Sequence, residues 1–383
     1  MKILIAPDSF KESLSAFDVA SAIETGLRKA IPQIEVVKIP IADGGEGLVE
    51  AMVSAAGGEV VPCEVTGPLG KPVQAFYGLL NKGETAVIEM AAAAGLDLIS
   101  VDERDPLKAT TRGVGELMIA VLDQGVKHII MGLGGSATND CGAGMLRALG
   151  VHFLDCNRDE VAEGGSALGK VKFIDVSKLD DRLAGVSIEV ACDVDNPLIG
   201  PKGATYVFGP QKGVIESDLA HLEACLSNFG SVMERVSGKV LCSAPGAGAA
   251  GGMGAACIGV LNAELKPGIE IVLETLKVAK HIPGCDLVIT GEGRMDSQSA
   301  HGKAPVGVAR LAKKHDVPVF AVVGSLGQGF EAVYDSGIDA VFSIVPGIVS
   351  LQEAMRDAEK NLNNTAYNIA RTIQCVNTSG VKL

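Results

Sequence analysis

The chain contains no tryptophan, and aromatic residues make up only 4% of it. That leaves few platforms on which unstacked bases could lie. Positive charge is also short: 33 Lys and Arg face 46 Asp and Glu, a formal charge of −13. Binding a phosphate backbone requires a basic face, so nucleic acid is excluded as a partner. The nine cysteines form no CxxC pair, no His/Cys cluster has zinc spacing, and HExxH is absent. Such thiols suit a reducing compartment, with Cys141 and Cys192 as small packed residues. The opening MKILIAPDSF has too short an apolar run for a secretory signal, so a cytoplasmic location is expected. The uncharged stretch Val240 to Ala263 holds Pro245 and six glycines, which makes it too weakly hydrophobic for a membrane span.

What is present is a large core. With 47% hydrophobic residues over 383 positions, two domains are expected. A unit recurs along the chain: apolar strand, polar or glycine-rich turn, amphipathic helix. KILIA (2–6) runs into PDSFKESLS, and a helix follows with Ser15 and Asp18 spaced as a capping box. EVVKIPI (35–41) leads to ADGGEG, HIIMGL (128–133) to GGSATND, and DLVIT (286–290) to GEGRMDSQSAHGKAP. PVFAVV (318–323) and AVFSIV (340–345) close the series. Continuous apolar strands alternating with helices predict an α/β fold, a Rossmann-like parallel sheet covered by helices. Because these units cluster at both ends, a second α/β domain is inserted between them. The expected division is 1–60 and 286–383, together with 105–145, for the Rossmann-like domain, and 61–104 and 146–285 for the insert. The stripe Ile215, Leu219, Leu222, Leu226, Phe229, Met233 and Val236 reads as one buried helix face.

Parallel sheets bind ligands beyond the carboxyl ends of their strands. Those ends here carry Asp8, Ser9 and Lys11, Asp43 and Glu46, Ser136 to Asp140, and Glu292, Arg294, Asp296 and Lys303. Formal motif matches elsewhere fail on context. GGSALGK (164–170) ends in Val171 and follows no strand, so it is not a P-loop. GAGAAG (246–251) has the dinucleotide spacing without the acidic strand end that should follow it. GGSAT lacks the second glycine of a nucleophile elbow. The loop GLGGSATN is different: small residues and two hydroxyls stand where a helix start would meet an anion, much like the GLGSSA loop of the GHMP small-molecule kinases. The phosphate candidates are Gly134, Gly135, Ser136, Thr138 and Asn139. Three small-residue loops, ADGGEG, CDVDN and GEGRMDSQ, carry spaced carboxylates of the kind that hold Mg²⁺. Together these are the parts phosphoryl transfer needs.

Seven blocks in colinear order carry a closer likeness: APDSFKESLSA (6–16), IADGGEG (41–47), GLGGSATND (132–140), CDVDNPLIGPKGA (192–204), FGPQKG (208–213), GAGAAGG (246–252) and GEGRMDSQSAHGKAP (291–305). Over essentially its whole length the chain resembles the type 1 glycerate kinases of bacteria. One departure is Glu12, where that family more often has glycine. The resemblance implies ATP- and Mg²⁺-dependent phosphorylation of D-glycerate, mostly to 2-phosphoglycerate, in glyoxylate, sugar-acid or allantoin catabolism. It also implies a cleft between the Rossmann-like and inserted domains. The remaining readings are a kinase for another small hydroxy acid, an NAD-dependent dehydrogenase and a non-catalytic sugar-acid sensor.

Residue roles follow from chemistry instead. Asp8, Ser9, Lys11, Arg294 and Lys303 are expected at the substrate, with Lys11 or Arg294 on its carboxylate. Asp193, Asp195 and Asp296 are the expected metal anchors. Asp195 is the expected proton acceptor, with Asp43 as its competitor and Lys11 beside the reacting groups.

Overall fold

A computed structural model describes residues 1–42, 44–45 and 47–378. Two compact units emerge, one of Met1–Asp43, Glu50–Ala56 and Ile269–Leu383, the other of Gly44–Val49 and Gly57–Gly268.

The first unit is built on five strands in the spatial order Ala340–Ser343, Val319–Val323, Leu287–Thr290, Lys2–Ile5, Glu35–Lys38. Every adjacent pair is parallel. Central strands such as Leu287–Thr290 are buried throughout, as a sheet covered on both faces requires. Counted along the chain the order is 2-1-3-4-5, the flavodoxin-like variant of the doubly wound sheet. It reverses between Lys2–Ile5 and Leu287–Thr290. Helix Ala16–Ala30 starts at Ser15, whose hydroxyl accepts from Asp18 N at 3.2 Å, the capping expected from the sequence. This helix meets Ala358–Thr378 so closely that a Cβ on Gly26 would lie 2.2 Å from the Asn363 carbonyl oxygen.

The second unit has a six-stranded sheet in the order Glu264–Lys266, Ser187–Ala191, His128–Gly132, Thr85–Glu89, Pro72–Leu80, Glu59–Thr66. The first four strands are parallel, and the last two add an antiparallel edge. Here the structure corrects the expected division. Residues 105–145 belong to this unit, because His128–Gly132 pairs with Thr85–Glu89 and Ser187–Ala191. Conversely, residues 269–285 join the first unit: a Cβ on Gly307 would come within 2.4 Å of Ile269 Cγ1. An apolar strand announces that it enters a parallel sheet, but not which one.

Within helix Glu216–Ser237 the middle of the expected stripe is core, whereas Ile215 and Val236 at its ends are exposed. The uncharged stretch supplies the buried helix Ala249–Gly259, whose start runs through left-handed Ala250, Gly251 and Gly252. Among the described residues no helix is long and apolar enough to cross a membrane.

Candidate active site

Each unit carries a cavity at the carboxyl ends of its parallel strands. In the first unit it lies at the point where strand order reverses. Asp8 to Ser13 follow Lys2–Ile5, and Glu292 to Arg294 follow Leu287–Thr290; together with Lys303 they line about 440 Å³. Backbone pairing continues beyond the strands: Asp8 N donates to Gly291 O at 2.9 Å, and Gly324 N to Glu292 O at 3.1 Å. All five expected substrate residues, Asp8, Ser9, Lys11, Arg294 and Lys303, meet here. Phe10, Ile344, Val345, Leu351 and Met355 form an apolar part of the wall. Glu12 is exposed with φ of 61°, a left-handed position that accounts for the family's preference for glycine. Asp296 does not reach this cavity. Its carboxylate pairs with Arg294 Nε at 3.5 Å and accepts from Gln298 N at 3.0 Å.

The second unit's cavity holds about 210 Å³. Gly134, Gly135 and Ser136, after strand His128–Gly132, form one side; Asp193, after Ser187–Ala191, and Gln211 and Lys212 form others. Lys212 is 1% exposed, and its Nζ donates to Ser136 Oγ and to the Thr138 carbonyl, both at 2.7 Å. Burial lowers its pKa to about 7, against a smaller opposing pull from Asp140. Among the described residues it is the single buried lysine or arginine. The sequence reading missed it. FGPQKG stood out only as a block of the family likeness, and a lysine in a polar loop is ordinarily solvated.

Behind Ser136 the glycine loop turns inward. Thr138 and Asn139 are fully buried and do not line the cavity; Asn139 Nδ2 donates to Thr205 Oγ1 at 3.2 Å. Asp140 organises the turn, accepting from Thr111 N and Oγ1 at 2.8 Å and from Gly142 N and Gly144 N at 3.1 Å. Burial raises the Asp140 pKa, against these donors. GAGAAGG is the seat on which the loop rests: a Cβ on Gly251 would lie 2.1 Å from Thr138 O.

The expected metal anchors are not gathered within one unit. Asp193 and Asp195 are in the second and Asp296 in the first, and among the described residues no three potential metal ligands converge. Magnesium usually takes only one or two protein carboxylates and completes its shell with phosphates and water. Asp193, at the cavity with Oδ1 accepting from Gly268 N at 2.9 Å, fits that sparse role. Asp195 is exposed and lines neither cavity. Asp43 and Glu46 lie outside the described residues.

Two α/β units, each with a cation-bearing cavity at its strand ends, have the build of ligand-binding α/β sheets. Comparison with known proteins narrows this. The family model for the Glycerate kinase family matches residues 3–374. A protein of Bacillus subtilis (strain 168) named "Glycerate kinase" is 53% identical, with 99% of each chain covered. One of Escherichia coli (strain K12) named "Glycerate 2-kinase" is 52% identical over 97% of this chain and 98% of its own. A solved structure of a chain assigned as glycerate kinase 2 from Salmonella typhimurium LT2 superposes with a TM-score of 0.91 at 49% identity, covering 99% of both. The chain belongs to the glycerate kinase family, and it is a kinase of that family.

Proposed function

We propose that this enzyme transfers the γ-phosphoryl group of ATP to the 2-hydroxyl of D-glycerate in the cytoplasm, giving 2-phospho-D-glycerate and ADP. The observation that carries this reading is similarity over nearly the full chain to relatives named for glycerate, one of them "Glycerate 2-kinase". The site chemistry agrees. Phosphoryl transfer asks for positioning and charge stabilisation more than for covalent help. Lys11, Arg294 and Lys303 in one cavity and Lys212 in the other are the groups that can bind and orient anions. The substrate hydroxyl oxygen attacks the γ-phosphorus, the bond to the ADP oxygen breaks, and a carboxylate takes the hydroxyl proton. Asp193 would hold a magnesium ion at the phosphoryl group being transferred, and that ion would neutralise charge there. No observation favours a nicotinamide enzyme: the GAGAAG stretch is buried beneath the glycine loop.

The test is ADP release measured with D-glycerate, L-glycerate, tartronate and glycerol in turn, followed by NMR of the product. D-glycerate should give the highest kcat/KM and a phosphorus resonance coupled to the C2 proton. ADP release that is independent of any added acid would overturn the assignment.

A further inference from the structure

We propose that the two cavities divide the substrates: the first unit's cavity takes the nucleoside triphosphate, and the second unit's cavity takes the small hydroxy acid, with Lys212 on its carboxylate. This rests on the kinase reading above and reverses the sequence expectation that Lys11 or Arg294 holds the acid.

Size is the first argument. Pockets for drug-sized ligands run from about 300 to 1,000 Å³. The first cavity, at about 440 Å³, falls in that range, and the second, at about 210 Å³, falls below it. A nucleotide needs the larger space; an acid with a three-carbon skeleton fits the smaller.

Wall chemistry agrees with size. Phe10, Ile344, Val345, Leu351 and Met355 offer apolar surface for a purine. Leu351 is 74% exposed and leaves apolar surface at this wall for a base to cover. The second cavity has apolar walls of its own in Leu96, Leu133, Val194 and Phe208, but it also sets glycine-loop backbone, Ser136, Gln211 and Asp193 around a buried ammonium.

Charge completes the argument. Three cations, Lys11, Arg294 and Lys303, stand in the first cavity and match a polyphosphate better than a single carboxylate. Asp8, Glu12 and Glu292 share that wall. A triphosphate that arrives with its own divalent cation tolerates them, and Asp193 likewise stands in the wall of the second cavity. In the second cavity one cation, Lys212, faces the space, a match for one carboxylate. Nζ already donates to Ser136 Oγ and Thr138 O, which fixes the direction of its remaining donor.

Calorimetric titration of the full chain with D-glycerate alone and with a non-hydrolysable ATP analogue plus Mg²⁺ separates the two assignments. Lys212→Met should weaken D-glycerate at least tenfold and leave the analogue within twofold of wild type. Leu351→Asp, an exposed change, should do the converse. The opposite pattern overturns the proposal while leaving the kinase reading intact, because that reading is judged separately by acid-dependent ADP release from the wild type. Should Lys212→Met fail to fold, the wild-type protein still decides. Cys192 lines the second cavity, so D-glycerate, and not the analogue, should slow its alkylation as followed by mass spectrometry. Protection by the analogue alone would refute the division.

Discussion

The ammonium of Lys212 and the hydroxyl of Ser136 lie 2.7 Å apart at the wall of the second unit's cavity, and both residues are buried. A lysine rarely occupies such a place. Removing its charge from water is costly, and a well-packed apolar residue of similar volume is often neutral or more stable there. The position therefore reads as stability conceded to function.

That reading predicts opposite effects on stability and activity. Lys212→Met should melt at or above the wild-type temperature at neutral pH, because it removes a charge that burial disfavours. Turnover at low glycerate should collapse in the same protein. A clear fall in Tm would mean that the bonds to Ser136 Oγ and Thr138 O outweigh the cost of the buried charge.

The pH dependence has a definite sign. Burial lowers the Lys212 pKa to about 7, so the free ammonium loses its proton as pH rises through that value. A carboxylate beside it favours the charged form, so binding above pH 7 takes up a proton. The charged groups around it are Asp140, Asp193 across the cavity, and Arg104, which bonds the Gln211 carbonyl at 2.8 Å. Affinity for D-glycerate should be flat below neutrality and fall about tenfold per pH unit well above it. Lys212→Arg, if it binds, should flatten that limb, since arginine stays protonated. Calorimetry in buffers of different ionisation enthalpy reads the proton uptake directly.

Much of this was visible in the sequence, and the remainder was hidden for physical reasons. Apolar strands followed by glycine-rich turns identified the α/β class, and the acids, hydroxyls and cations after Ile5 and Thr290 do meet in one cavity. Alternation cannot say which sheet a strand joins, so residues 105–145 were given to the wrong unit. Composition cannot say which way a side chain points either. Ser136 reaches the cavity while Thr138, two residues on, is buried behind it. Lys212 was hidden for the same reason, because burial is a property of the packed loop and not of FGPQKG.

Gly251 tests whether the seat beneath the loop matters. Its φ is 68°, and a Cβ there would lie 2.1 Å from the Thr138 carbonyl oxygen, which also accepts from Lys212. Gly251→Ala should cost about 1–3 kcal/mol from overpacking and raise KM for D-glycerate by displacing Lys212. Gly185→Ala, in the same unit with nothing within 4 Å of the new Cβ, should alter neither. Equal behaviour of the two variants in thermal melts and kinetics would remove the loop seat from the account.

The proton acceptor is the last open assignment, and the structure shifts the weight from Asp195 toward Asp193. Both follow strand Ser187–Ala191, but only Asp193 lines the cavity, with one oxygen steadied by Gly268 N at 2.9 Å. General acid–base groups contribute about 10²–10⁴-fold. Asp193→Asn should therefore lower kcat by at least about a hundredfold on the same scale, with a modest change in KM. Asp195→Asn, at a residue that lines neither cavity, should retain most of it. Raising Mg²⁺ distinguishes the two roles open to Asp193. Recovery of rate at high Mg²⁺ marks a lost metal anchor, and a rate that stays low at saturation marks a lost base. If Asp195→Asn is instead the crippled variant, the exposed carboxylate reaches the substrate only in the bound state and the expectation drawn from CDVDN stands. If neither variant falls below about a tenth of wild-type kcat, a loss too small for such a group, Asp43→Asn is the decisive protein to make.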